Sequence, residues 1–225
     1  WVSGRNEKLK VFGPEGIKKI TDGFEQAYAL DAQYRFDHHG DAVLVQSANG
    51  YEAITISPSE SPFYNDGDLK ITAFLVEHEP VSPSLGFRFD YKGRSIVFSG
   101  DTIYSENLLK YAKDADVLFM EALSMDIISR LQKAQESIGN ERNAKIMFDI
   151  QDYHISPKDG ARLAKKANVK HLVFYHLAPA PVISLMAEVF TRGVDEIFSD
   201  FTLADDGTHV VLPKNSKEIK ISSIN

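Results

Sequence analysis

Apolar and polar positions alternate in blocks whose period switches between two and about 3.6 residues, as expected for strands interleaved with helices. Leu9–Phe12 reads as a short apolar strand, and Pro14 in the Gly13-Pro14-Glu15-Gly16 turn suits a helix start. Ile17, Ile20, Phe24 and Ala27 recur at helical spacing, predicting a helix to about Leu30. Ala42–Gln46, Tyr51–Ser57 and Leu69–Val76 are expected as strands, with Pro58–Asp68 a loop rich in turn formers. Leu85–Tyr91 and Arg94–Phe98 alternate about Lys92-Gly93, a hairpin pattern. Helices are expected over Ser105–Ala112, Met125–Ile138, Pro157–Ala167 (with Ser156 as N-cap) and Ile183–Thr191. Val117–Met120 and His171–Tyr175 read as buried strands; Glu196–Phe198 and His209–Leu212 read as closing strands around Asp206-Gly207. With no repeat or linker, the expectation is one α/β domain of layered α+β type over 1–225.

Three of these strands run directly into His or Asp: Val76-Glu77-His78, Phe98-Ser99-Gly100-Asp101 and Phe174-Tyr175-His176. Strand ends are rigid platforms for side chains, and two imidazoles with a carboxylate suit a zinc-type site. Each also fits a structural role, since such a His is often simply hydrogen-bonded and Gly-Asp is turn-forming. Glu121 ends a buried strand, where an unpartnered carboxylate is unfavourable, so a His or backbone partner is expected. His154, just before Ser156-Pro157, suits either a general acid or a loop residue beside a cap. His38, His39, His171 and His209 are expected as structural or surface residues, although the His38-His39-Gly40 loop is also a candidate pocket wall.

Composition narrows the chemistry. There is no cysteine, so any transition-metal site must use His and carboxylates. The net charge of −7 argues against a general nucleic-acid binder, which needs a basic face. No apolar run approaches the ~18 residues of a membrane span. The start at Trp1-Val2-Ser3, without Met, is expected to be a cut; cytoplasmic and periplasmic locations both stay open.

Taken in order, Val11-Phe12-Gly13-Pro14-x-Gly16, Glu77-His78-x-Pro80 with Gly86-Phe87-Arg88, Ser99-Gly100-Asp101-Thr102, Asp116-Val117-Leu118-x-x-Glu121-Ala122, His154-x-Ser156-Pro157 and His176 form a series. The series resembles the metallo-β-lactamase superfamily, on its ribonuclease Z and arylsulfatase-like branch, from position 9 to about 180. The resemblance implies an αββα sandwich and a site for two zinc ions in the complete protein, with manganese or iron as alternatives. It makes Asp101 the metal-bridging carboxylate, and His78 and His176 ligands of one ion each. It makes His154 the proton donor to the leaving group; Glu121, read from its buried strand end as a partner in the site, is grouped with the catalytic residues. The family's His-x-His-x-Asp-His signature precedes the Gly-Pro-x-Gly turn, and this sequence has none; His38-His39 follow that turn with different spacing. The chain is therefore expected to lack N-terminal strands and that loop, to be inactive alone, and to leave apolar surface either exposed or covered by a second copy in a homodimer.

Ribonuclease Z carries a tRNA-gripping arm between the positions matching His78 and Asp101. Here these residues are 23 positions apart, with room for a hairpin only. The expected substrate is a small phosphodiester, sulfate ester or lactone. Ribonuclease Z-like tRNA 3′ processing ranks second, and a non-catalytic scaffold is the reading of a different class.

Overall fold

The computed structural model describes residues 1–224. Contacts divide the described residues into two compact units, Trp1–Ser57 and the chain from Pro58 onward.

In the first unit, β1 (Leu9–Gly13) is followed by α1 (Ile17–Ala27), α2 (Ala29–His39) and β2 (Tyr51–Thr55), which returns to pair parallel with β1. A parallel return needs a long crossover, and the two helices provide it. The helical spacing from Ile17 was expected to run through one helix; the chain instead breaks at Tyr28 and continues as α2. Ala42–Gln46, expected as a strand, is a turn leading into a short 3-10 helix at Gln46–Ala48. Its alternation is real, with Leu44 buried between exposed Val43 and Val45. The backbone bonds are nevertheless local: Val43 and Leu44 donate to the Gly40 carbonyl, and Gln46 N–H donates to the Asp41 carboxylate.

The second unit runs β3 (Tyr64–Asn65), β4 (Leu69–Val76), β5 (Ser84–Tyr91), β6 (Arg94–Phe98), α3 (Glu106–Ala112), β7 (Val117–Leu123), α4 (Met125–Ser137), α5 (Glu141–Asp149), α6 (Pro157–Lys166), β8 (His171–Ala178), α7 (Ser184–Phe190), β9 (Phe201–Leu203), β10 (Thr208–Val211) and β11 (Lys220–Ser223). A seven-stranded sheet has the order β3-β4-β5-β6-β7-β8-β9, and β10 and β11 form a separate antiparallel pair. β5 is antiparallel to both β4 and β6, whereas β6 to β9 are mutually parallel. It follows that β4, β6, β7 and β8 all end at the same edge of the sheet. The α/β expectation is met by this mixed sheet and its helices.

The β5–β6 turn is the two-residue type the sequence calls for: Lys92 and Gly93 both have positive φ, and Tyr91 pairs with Arg94. Ser105 and Ser156 cap α3 and α6, their side chains accepting from Leu108 N–H and Asp159 N–H. One sheet face, carrying Phe74, Val97, Leu118, Met120, Leu172 and Phe174, packs with α3 and α6 residues into the core. Each such side chain stabilises the fold by roughly 1.5–3 kcal/mol. The alternate positions Phe98, Phe119 and Tyr175 form an aromatic cluster on the other face, Phe98 stacking on Phe119 with centroids 4.5 Å apart.

Two departures lie near the C-terminus. Glu196–Phe198, expected as a strand, belongs to a turn in which Ile197 and Phe198 N–H donate back to the Val194 carbonyl. The strand that pairs with β8 is β9, a few residues later. No helix among the described residues is long and apolar enough to cross a membrane.

Candidate functional site

The shared strand edge brings together His78, Asp101, Glu121, His154 and His176. His78 and Asp101 follow β4 and β6, Glu121 and His176 lie within the last residues of β7 and β8, and His154 lies in the loop before α6. The β6 end is built by close approach. Gly100 has φ +64, and a Cβ there would sit 2.3 Å from the Leu85 carbonyl oxygen, so only glycine lets the chain pass β5 and turn Asp101 outward.

A register shift delivers His176. Glu121 pairs with Tyr175, but Ala122 pairs with Leu177, so His176 is an extra residue bulged out of β8. Its φ is 46, a left-handed conformation that a non-glycine residue adopts at an expense of ~1–2 kcal/mol. The bulge turns the imidazole toward Asp101, Nδ1 lying 3.5 Å from Oδ1. Behind it, burial pushes the Tyr175 phenol up in pKa, against hydrogen bonding to Ser99 and Gly100.

Glu121 is fully buried and anchors the inner side of the site. Its Oε1 accepts from Thr102 N–H at 3.1 Å, Ile155 N–H at 3.2 Å and His154 Nδ1–H at 3.0 Å. Burial alone would lower the His154 pKa; the Glu121 hydrogen bond, with the charges of Glu121 and Asp101, outweighs it and raises the pKa above the ordinary imidazole value. His78 is oriented separately: its Nδ1 is 2.7 Å from the Tyr153 carbonyl oxygen, which makes Nδ1 the protonated nitrogen and leaves Nε2 with its lone pair. The His78 and His154 rings are 5.1 Å apart, and the His154 and His176 rings 5.9 Å.

A divalent cation fits this donor set. Glu121, His154 and His176 each offer a ligand atom, all within 4.8 Å of one another. The other Glu121 oxygen, Oε2, is buried with no hydrogen-bond partner, a condition a nearby cation relieves. Oε1 is saturated by three donors, so it holds His154 and the two loops, and Oε2 is the Glu121 oxygen left to face a cation. The sequence trio His78, Asp101 and His176 divides differently: Asp101 pairs with His176, while His78 stands next to His154. Of the histidines set aside, His171 bonds Thr202 Oγ1 at 2.9 Å, and burial lowers its pKa. His38 and His39 close α2, and His209 lies in β10. Tyr153, packed against two of the site's imidazoles, carries no sequence signal beyond standing next to His154.

The family model of the beta-lactamase superfamily domain matches residues 4–177. Ribonuclease Z of Mycobacterium bovis (strain BCG / Pasteur 1173P2) is 28% identical over 172 residues, covering 76% of this chain and 56% of that protein. The chain thus spans little more than half the length of this curated relative. Among solved structures, the metallo-beta-lactamase fold protein YhfI from Bacillus subtilis is similar with TM-score 0.52 and 16% identity, over 87% of this chain and 61% of that one. Zn(2+)-bound PqqB from Methylobacterium extorquens is similar with TM-score 0.50 and 16% identity, over 91% and 63%.

Proposed function

Because the chain belongs to the beta-lactamase superfamily domain family, we propose that it forms part of a metal-dependent hydrolase acting on a small ester: a phosphodiester, a sulfate ester or a lactone. The supporting observation is the buried Glu121 holding His154 Nδ1, with the His176–Asp101 pair beside it on the same strand edge.

His78, Asp101 and His176 would hold the metal, Asp101 as the carboxylate shared between two ions. The all-nitrogen-and-oxygen donor set suits zinc first, then manganese or iron. When bound, such ions supply Lewis acidity, acidifying water and neutralising charge at the attacked centre. The chain's own residues do the rest. The Tyr153 carbonyl fixes the His78 tautomer, which leaves Nε2 as the nitrogen with a lone pair to ligate. Glu121 keeps the His154 Nδ1 proton engaged and, with Asp101, favours the doubly protonated ring. His154 then donates from Nε2 to the leaving oxygen and remains as the neutral Nδ1–H tautomer.

A second reading is RNA 3′ processing, favoured by relatives that carry the name ribonuclease Z. Against it stand the net charge of −7 and the segment between His78 and Asp101, which holds the β5–β6 hairpin and no arm. The test is a panel on the full-length protein: an activated phosphodiester, an aryl sulfate, a lactone and a 3′-extended tRNA, each with and without chelator. Chelator-sensitive turnover of a small ester, with tRNA left intact, is expected. Preferential cleavage of tRNA would replace the small-ester reading with the second one, and no turnover at all would favour a scaffold.

A further inference from the structure

Tyr153 stands where two separately anchored loops meet. The His78 loop is tied to β4 and to Thr102, whose Oγ1 accepts from Glu77 N–H at 3.2 Å. The His154 loop is tied to β7, with Leu123 N–H donating to the Ile155 carbonyl at 2.8 Å and Ile155 N–H to Glu121. Tyr153 touches both. Its carbonyl accepts from His78 Nδ1–H, its ring meets the His78 ring edge-on at 5.0 Å and 90°, and it lies tilted on the His154 ring at 4.9 Å and 53°. Aromatic pairs at these separations have preferred mutual angles, so one half-buried phenol restricts two imidazoles at once.

We infer that Tyr153 is a positioning residue, its ring setting the planes of His78 and His154 against each other and keeping its own carbonyl in place beneath His78 Nδ1. This rests on the hydrolase reading. Removing the ring takes away the packing that sets both ring planes, while His154 keeps its bond to Glu121 and every proposed ligand and acid stays in the chain.

The experiment compares the full-length wild type with Tyr153→Ala, Tyr153→Leu and Tyr153→Phe. The first readout uses metal-free protein at alkaline pH, where imidazole is neutral: long-range proton–nitrogen NMR correlations report each histidine's tautomer. His78 should be the Nδ1–H tautomer in wild type and Tyr153→Phe, and a tautomer mixture in Tyr153→Ala. The second is zinc affinity by chelator competition, expected to fall about 10–100-fold in Tyr153→Ala and to hold in Tyr153→Phe. The third is kinetic. With zinc saturating, kcat for an alkyl ester, whose leaving oxygen needs the His154 proton, should fall with KM unchanged, while a p-nitrophenyl ester should be spared. If the alanine variant fails to fold by circular dichroism, Tyr153→Leu, which keeps bulk without an aromatic face, takes its place. An unchanged His78 tautomer and zinc affinity in the ring-less variant overturns the inference. A wild type that neither binds zinc nor hydrolyses esters overturns the hydrolase reading, and the tautomer measurement still decides the role of Tyr153.

Discussion

His154 hangs from Glu121: the imidazole Nδ1 is 3.0 Å from a carboxylate oxygen that also accepts from Ile155 N–H in the same loop and from Thr102 N–H in the loop after β6. The carboxylate therefore orders the loop and the acid together. In the full-length protein, Glu121→Gln is expected to keep the fold, because an amide oxygen can still accept, and to lower kcat for an alkyl ester about 10–100-fold. Steady-state kinetics beside circular dichroism checks it; unaltered kcat would show that Glu121 is structural only.

The same pair makes a prediction in pH. The His154 pKa in the folded chain is raised above its ordinary value of 6.5. A folded state that holds a proton more tightly than the unfolded state gains stability where both are protonated. That gain is complete below 6.5 and is lost as pH rises through the raised folded value. Metal-free wild type should therefore lose melting temperature across that interval, and Glu121→Gln should lose less. Parallel melting curves for the two proteins would refute the coupling.

Asp101 and Gly100 are neighbours whose variants should both lose activity but differ in stability. The Asp101 side chain is 39% exposed and fills no core space, so Asp101→Ala should abolish turnover with little change in melting. Gly100→Ala places a methyl group 2.3 Å from the Leu85 carbonyl oxygen at a positive φ, and should destabilise by about 1–3 kcal/mol as well as impair activity. Urea titration with turnover on each variant separates them; an active Asp101→Ala would mean that Asp101 only makes a turn.

Away from the site, Arg94 is a buried anchor. Its guanidinium bonds Asp116 at 3.0 Å and the carbonyls of Pro213, Ser216 and Glu218, tying the C-terminal segment to the start of β6. Hydrogen bonds from Ser95 N–H and Lys170 share Asp116, and together these contacts overcome burial to hold its carboxyl below the usual range. Arg94→Ala leaves that carboxylate half-compensated and three carbonyls without their donor. About 3–5 kcal/mol of destabilisation is expected by urea titration, with the metal site intact.

What could be read from the sequence was local. The Lys92-Gly93 turn, the Ser156 cap and the positions of His78 and Asp101 just past their strands each depend on a few adjacent residues, and the structure contains them; His176, expected just past its strand, lies inside β8. α2 was missed because it buries none of its residues, so its pattern has no clear apolar stripe. β9 is three residues long and exists by pairing with β8, which no local pattern encodes. In the site, a partner for Glu121 was foreseeable from the expense of a bare buried carboxylate. The His176 bulge was not, because it arises from a mismatch in residue count between two strands distant in sequence.

That mismatch means the chain's arithmetic is as important as its chemistry. Deleting any one residue between Tyr175 and Ala178 would let β7 and β8 zip without interruption, giving a neater ladder and a sheet with less local twist. The imidazole would be removed or carried into the pleat, away from Asp101. Screening variants for rigidity alone would favour such deletions, and would select against the irregularity that aims His176.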